Sequence, residues 1–83
     1  MKKSLFCVLD LKSQVYGNIF TSVNAATALR DFQSASNDPN SDLCKYPEDF
    51  ILYELGTYDD AQGLVEIYEV KTHLGNALQF KEA

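Results

Sequence analysis

One imidazole, two thiols and twelve carboxylates are the side chains of this 83-residue sequence that could do covalent or metal chemistry. Covalent catalysis needs a nucleophile, a base beside it and a group that orients the base. The single histidine, His73, lies near the C-terminus, Cys7 sits inside the apolar run Leu5-Phe6-Cys7-Val8-Leu9, and Cys44 sits in a polar stretch before Lys45. No spacing joins them into such a set, and both cysteines read as reduced thiols outside any disulfide framework. Structural zinc takes four ligands in paired spacings, which one histidine and two distant cysteines do not supply. Asp59-Asp60, or Asp38 with Asp42, offer oxygen ligands to a hard cation. The calcium loop that would organise them is absent, so they read as turn carboxylates. Neither a Gly-x-Gly-x-x-Gly nor a Walker pattern provides a phosphate cradle. The reading is a protein that is not an enzyme and takes no metal or cofactor.

The aromatic side chains point to different chemistry. Tyr16, Phe20, Tyr46, Phe50, Tyr53, Tyr58 and Tyr68 are many for so small a chain. Single-stranded nucleic acid is held by aromatic platforms beside basic grooves. Tyr16 and Phe20 lie between Lys12 and Arg30, within a first segment (residues 1–30) of net charge +3. Residues 31–69 carry −9 and the whole chain −5, which repels phosphate at long range. A polynucleotide contact therefore needs a local patch, and its candidates are Lys2, Lys3, Lys12, Tyr16, Phe20 and Arg30. Such a patch predicts affinity that falls steeply with salt and is lost in Lys12→Glu or Arg30→Glu. The competing reading gives the aromatics to the core or a dimer contact and the cations to ordinary solvated surface.

The elements that must position these residues follow from periodicity. With no repeat, linker or low-complexity tract, residues 1–83 read as a single domain. Ser4–Leu11 is nearly continuously apolar and predicts a central strand covered on both faces. Tyr16–Thr21 predicts a short second strand interrupted by Gly17-Asn18. A helix starts near Ser22, with Ser22 or Asn24 as its cap, and ends by Asn37, before Pro39. Ala25, Ala28, Leu29, Phe32 and Ala35 share its inner face. Residues 37–49 read as a long loop rich in Asn, Asp, Ser and Pro. Phe50–Leu55 and Leu64–Val70 alternate and predict a hairpin around an eight-residue turn, Gly56–Gly63. Thr72 caps a short C-terminal helix over Leu74–Phe80. The fold class is α+β, a small antiparallel β-(β)-α-β-β sheet with one main helix on one face. No apolar run approaches the roughly 18 residues of a membrane helix. Met1-Lys2-Lys3 has the charge of a leader, but the apolar run behind it breaks at Asp10 and Lys12, so a cytoplasmic protein with its start intact is expected.

From Asn37 onward the pattern becomes specific. Asn37-Asp38-Pro39-Asn40-Ser41, then Lys45-Tyr46-Pro47-Glu48-Asp49-Phe50-Ile51-Leu52-Tyr53-Glu54-Leu55-Gly56-Thr57-Tyr58-Asp59, resembles the small nonstructural protein of gokushovirus-type Microviridae, phages with single-stranded DNA genomes that include the chlamydia phages. Lys2–Asp10 is similar to that family's first strand and Phe20–Phe32 to its helix; the segment after Val70 matches least. The resemblance implies a protein made in the cytoplasm of the infected bacterium and absent from the virion. It also implies DNA binding and a role in the switch to single-strand synthesis, and it brings no catalytic residues. Asn37, Asp38, Pro39, Pro47, Asp49, Phe50, Tyr53, Gly56 and Asp59 carry the motif and read as architecture: Pro39 ending the helix, Asp49 bonding backbone at the strand entry, Gly56 at positive φ. The alternative is a homodimeric adaptor whose acidic loop, Asp38 to Asp49, binds a basic region of a phage or host replication or assembly protein.

Overall fold

A computed structural model describes residues 1–82. The long first strand β1 (Lys2–Asp10) is the middle of an antiparallel sheet. One edge of β1 pairs with β2 (Val15–Tyr16) and β3 (Phe20–Ser22), the other with β4 (Phe50–Asp59), and β5 (Leu64–Asn76) pairs with β4 and ends the sheet. Helix α1 (Ala25–Ser36) and the short α3 (Ala77–Phe80) cover one face. The architecture is the expected α+β sheet with one main helix and a short C-terminal one.

Local chemistry explains the helix. Asn24 is its cap: backbone in the extended region, side-chain Oδ1 accepting from Thr27 N–H at 2.9 Å. Its inward positions Ala28 and Phe32 are buried, with Ala25 and Leu29 packed at the margin. They meet Phe6 and Val8 of β1, Leu52 and Phe50 of β4, and Ala77 and Phe80 of α3. Phe32 and Phe80 meet edge to face at 6.0 Å, a geometry favoured by the ring quadrupole. Ser36 is fully buried and keeps its hydroxyl satisfied by donating to the Phe32 carbonyl at 2.7 Å.

Several boundaries differ from expectation. Strand β1 is central, but helices cover only one of its faces. The loop over residues 37–49 is not unstructured: it holds α2 (Asp42–Lys45), capped by Ser41, and a 3₁₀ turn, Pro47–Asp49. The hairpin turn is Asp60–Gly63 rather than eight residues, because Thr57, Tyr58 and Asp59 continue the ladder opposite Glu66, Val65 and Leu64. The last strand runs on to Asn76, and the C-terminal helix begins at Ala77 with Asn76, not Thr72, as its cap. Gln79 returns a bond to the Asn76 N–H, a reciprocal pair that lets so short a helix form.

Candidate functional site

The ladder register sorts the sheet's side chains into two faces, since directly opposed residues point the same way. Phe6 and Val8 define the helix-covered face. Cys7, Leu5 and Lys3 therefore define the open one, and their partners follow: Tyr53 and His73 beside Cys7, Gly56 and Ile67 beside Leu5, Tyr58 and Val65 beside Lys3. Leu9 brings Tyr16 of β2 and Ile51 of β4 to the same side. The paired carboxylates fall on the other side: Asp10 opposite Phe50, Glu54 opposite Phe6, Asp59 opposite Lys2 and Glu66 opposite Thr57. Among its laddered residues the open face carries no carboxylate, in a chain of net charge −5.

Three rings lie together on that face. Tyr16 and Tyr53 are 6.1 Å apart between centroids, and the His73 ring meets Tyr53 edge-on at 5.6 Å. The Lys71 ammonium stands over both tyrosines, 5.4 Å from the Tyr16 centroid and 5.3 Å from that of Tyr53, a cation–π arrangement. The Tyr16 hydroxyl beside it holds the ammonium in its charged form, raising its pKa. Cys7 lies beneath, in a shallow hollow walled by Tyr16, Gly17, Ile19, Leu55 and Lys71. Burial pushes its thiol above the ordinary 9.0, with Lys71 pulling the other way. The chemical capacity of the site is stacking on flat rings, one fixed cation and one exposed imidazole.

The residues singled out for nucleic-acid contact do not converge. Tyr16 is on the open face, as is Lys3, but the Lys3 ammonium is 3.4 Å from Asp60, whose carboxyl is held below its usual range by the neighbouring Met1 amino group and by Lys3. Lys2 is on the opposite face, across from Asp59. Lys12 lies in a cleft with Asp10, Asp42, Glu48 and Asp49. Phe20 stacks on Phe6 at 5.7 Å, on the helix side. Arg30 is on the exposed side of α1, in a hollow with Gln33, Asn37, Asp38 and Glu82. Alternation in β4 already set Tyr53 apart from Phe50 and Leu52. Lys71 and His73 lie beyond the alternation that ends at Val70, so no period in the sequence marks them.

The motif residues mostly build the scaffold. Asn37 caps α1 and pins the C-terminal segment: its Nδ2 donates to the Gln33 and Phe80 carbonyls, both at 2.9 Å, and its Oδ1 accepts from Glu82 N–H at 2.7 Å. Asp38 accepts from Asn40 N–H at 3.0 Å and Asp59 from Ala61 N–H at 3.0 Å, each closing a turn. Pro39 follows the end of α1, and Pro47 is buried at the start of the 3₁₀ turn. Asp49 meets the strand entry through its backbone carbonyl, which accepts from Leu11 N–H at 2.8 Å. Gly56 does not need a positive φ, a conformation found here at Gly63 and Gln14. It is required because β5 crosses it closely: a Cβ there would stand 2.1 Å from the Glu66 carbonyl oxygen. Tyr53 is the motif residue that faces the platform.

Fold and face define the class: an α+β protein with helices on one side of an antiparallel sheet and an aromatic, carboxylate-poor surface on the other. Among the described residues no three of His, Cys, Asp and Glu gather as metal ligands, and no helix is long and apolar enough to cross a membrane. The chain belongs to the phage family described as Phage ORF5 protein, which it matches over residues 3–80. No curated protein and no solved structure matches it.

Proposed function

We propose that this phage protein is a non-enzymatic auxiliary of DNA replication that binds single-stranded DNA on the open face of its sheet. The observation that carries the reading is the Tyr16–Tyr53–His73 cluster under Lys71, on a face whose laddered residues include no carboxylate and where Glu69, outside the ladder, is the acid of β5 that shares the side. Bases stack on such rings regardless of sequence, and one ammonium suffices to seat a phosphate between them. Asp10, Glu54, Asp59 and Glu66 face away, which lowers the repulsion at the platform; Glu69, which alternates onto the platform side with Lys71 and His73, and Asp60, paired with Lys3, are the acids that remain near it. The motif from Asn37 to Asp59, similar to that of the gokushovirus-type nonstructural proteins, supports placing the chain with those single-stranded DNA phages, at work in the cytoplasm of the infected bacterium.

With so few cations on the face, binding is carried by stacking rather than by counterion release. The salt dependence is accordingly shallow, a slope of about −0.7 in log K per phosphate neutralised, in place of the steep fall a patch of four cations would give. Fluorescence anisotropy with labelled oligo-dT and a matched duplex, at two salt concentrations, tests this. Single strands are preferred. Tyr16→Ala weakens them by about 1–3 kcal/mol, roughly 5- to 150-fold, while Lys12→Glu and Arg30→Glu change little. Equal binding of duplex, or a loss confined to the Lys12 and Arg30 variants, contradicts the reading.

A further inference from the structure

We propose that a second copy of this chain pairs antiparallel with the outer edge of β5, about a twofold axis at Val70. Strand β5 is 13 residues long and, among the described residues, has no neighbour on its outer side. It carries the two most exposed apolar side chains of the sheet, Val70 at 78% and Ile67 at 63% accessible, with Val65 at 51%. The β4 ladder passes from Ile67 directly to Thr72, so Tyr68–Lys71 stand opposite the one residue Leu55 and are left without laddered partners. A long edge with unpaired backbone and apolar side chains is a template for another strand. Of the usual protections β5 lacks proline, and the charges it carries about Val70, Glu69 and Lys71, are of opposite sign, so that a second copy can pair them.

Symmetry and charge select the occupant. Two copies of one strand in one sheet must be related by an axis perpendicular to it, which keeps each face on its own side. Opposed residues share a face, so the axis passes through a residue rather than between two. An axis at Glu69 sets carboxylate against carboxylate, and one at Lys71 sets ammonium against ammonium. An axis at Tyr68 places Ile67 against Glu69. An axis at Val70 opposes the most exposed valine to its own copy and each Glu69 to the second copy's Lys71, with Tyr68 facing Thr72 and Ile67 facing His73. Opposite charges across the ladder favour that register. The strand that complements this edge is the edge itself. The axis also keeps both open faces on one side, so the two platforms adjoin. The pairing stands whether or not that face binds DNA, and DNA-free protein tests it.

The test is a disulfide. Residues opposed on antiparallel strands have Cα atoms about 4.5–5.5 Å apart, within the roughly 4.4–6.8 Å a disulfide spans. In a Cys44→Ala background, Val70→Cys cross-links into a covalent dimer under mild oxidation at least tenfold faster than Val23→Cys, another exposed valine. Light scattering on the wild-type chain shows mass rising with concentration toward twice 9.3 kDa. Glu69→Lys shifts that rise to higher concentration. A wild-type mass of one chain throughout overturns the proposal. So does a dimer in which Val70→Cys links no faster than Val23→Cys, since its contact lies elsewhere.

Discussion

At the residue scale, Cys7 shows how the sheet protects one face and exposes the other. It is 2% accessible although no helix covers it, because Tyr16, Leu55 and the Lys71 stem close over it. Its raised thiol pKa has a sign that can be worked through. The unfolded chain ionises this thiol near 9.0 and the folded chain only at higher pH, so stability falls as pH rises from about 9 toward the raised value. Native chain treated with a disulfide reagent at pH 8 therefore labels Cys44 first, and Cys7 only as fast as the protein opens. Across the alkaline window the unfolding midpoint drops less steeply in Cys7→Ala. Prompt labelling of both thiols in the folded protein, or an unchanged slope in that variant, contradicts the placement of Cys7. The same residue scale explains Tyr68, whose hydroxyl donates to Glu54 Oε2 at 2.6 Å and whose phenol is raised by that carboxylate.

At the element scale, the strongest constraint is the crossing of β4 and β5 at Gly56. Gly56→Ala drives a methyl into the Glu66 carbonyl and Ile67 Cα, both backbone, so the strands must separate. The expected loss is about 1–3 kcal/mol, read as a lowered urea midpoint with an unchanged slope; a neutral substitution contradicts the close crossing. The elements differed in how far sequence exposed them. Helix α1 was readable to within a few residues, because Asn24 and the 3–4 spacing of Ala25, Ala28, Leu29 and Phe32 are local signals. The hairpin turn was overestimated, since Gly56, Thr57, Tyr58 and Asp59 are ordinary turn residues whose strand state comes from pairing with β1 and β5. The far end of β5 was not readable, because Lys71-Thr72-His73-Leu74-Gly75-Asn76 has no apolar alternation and owes its strand state to pairing with β4. Lys71 and His73 were lost with it. The basic patch failed for a related reason: Lys2, Lys3, Lys12 and Arg30 are near in sequence but divided by strand alternation, a turn and a helix.

At the scale of the whole molecule, the ladder turns four of the acids, Asp10, Glu54, Asp59 and Glu66, away from the platform, which lowers the repulsion a net charge of −5 imposes there. The molecule extends 42 × 23 × 18 Å, and the open face holds a shallow hollow between Tyr16, Ile19, Leu55 and Lys71. Repulsion from the acidic side acts at long range and slows encounter, whereas stacking acts on contact, so affinity and salt dependence part company. The most direct measurement is a two-dimensional NMR titration of the isotope-labelled chain with oligo-dT. The aromatic signals of Tyr16, Tyr53 and His73 and the neighbouring amides of β1, β4 and β5 should move together and saturate, while Arg30 and the outer side of α1 stay still. Shifts centred on α1, on the Lys12 cleft, or nowhere at all would place single-stranded DNA off the open face and remove the basis for the proposed function.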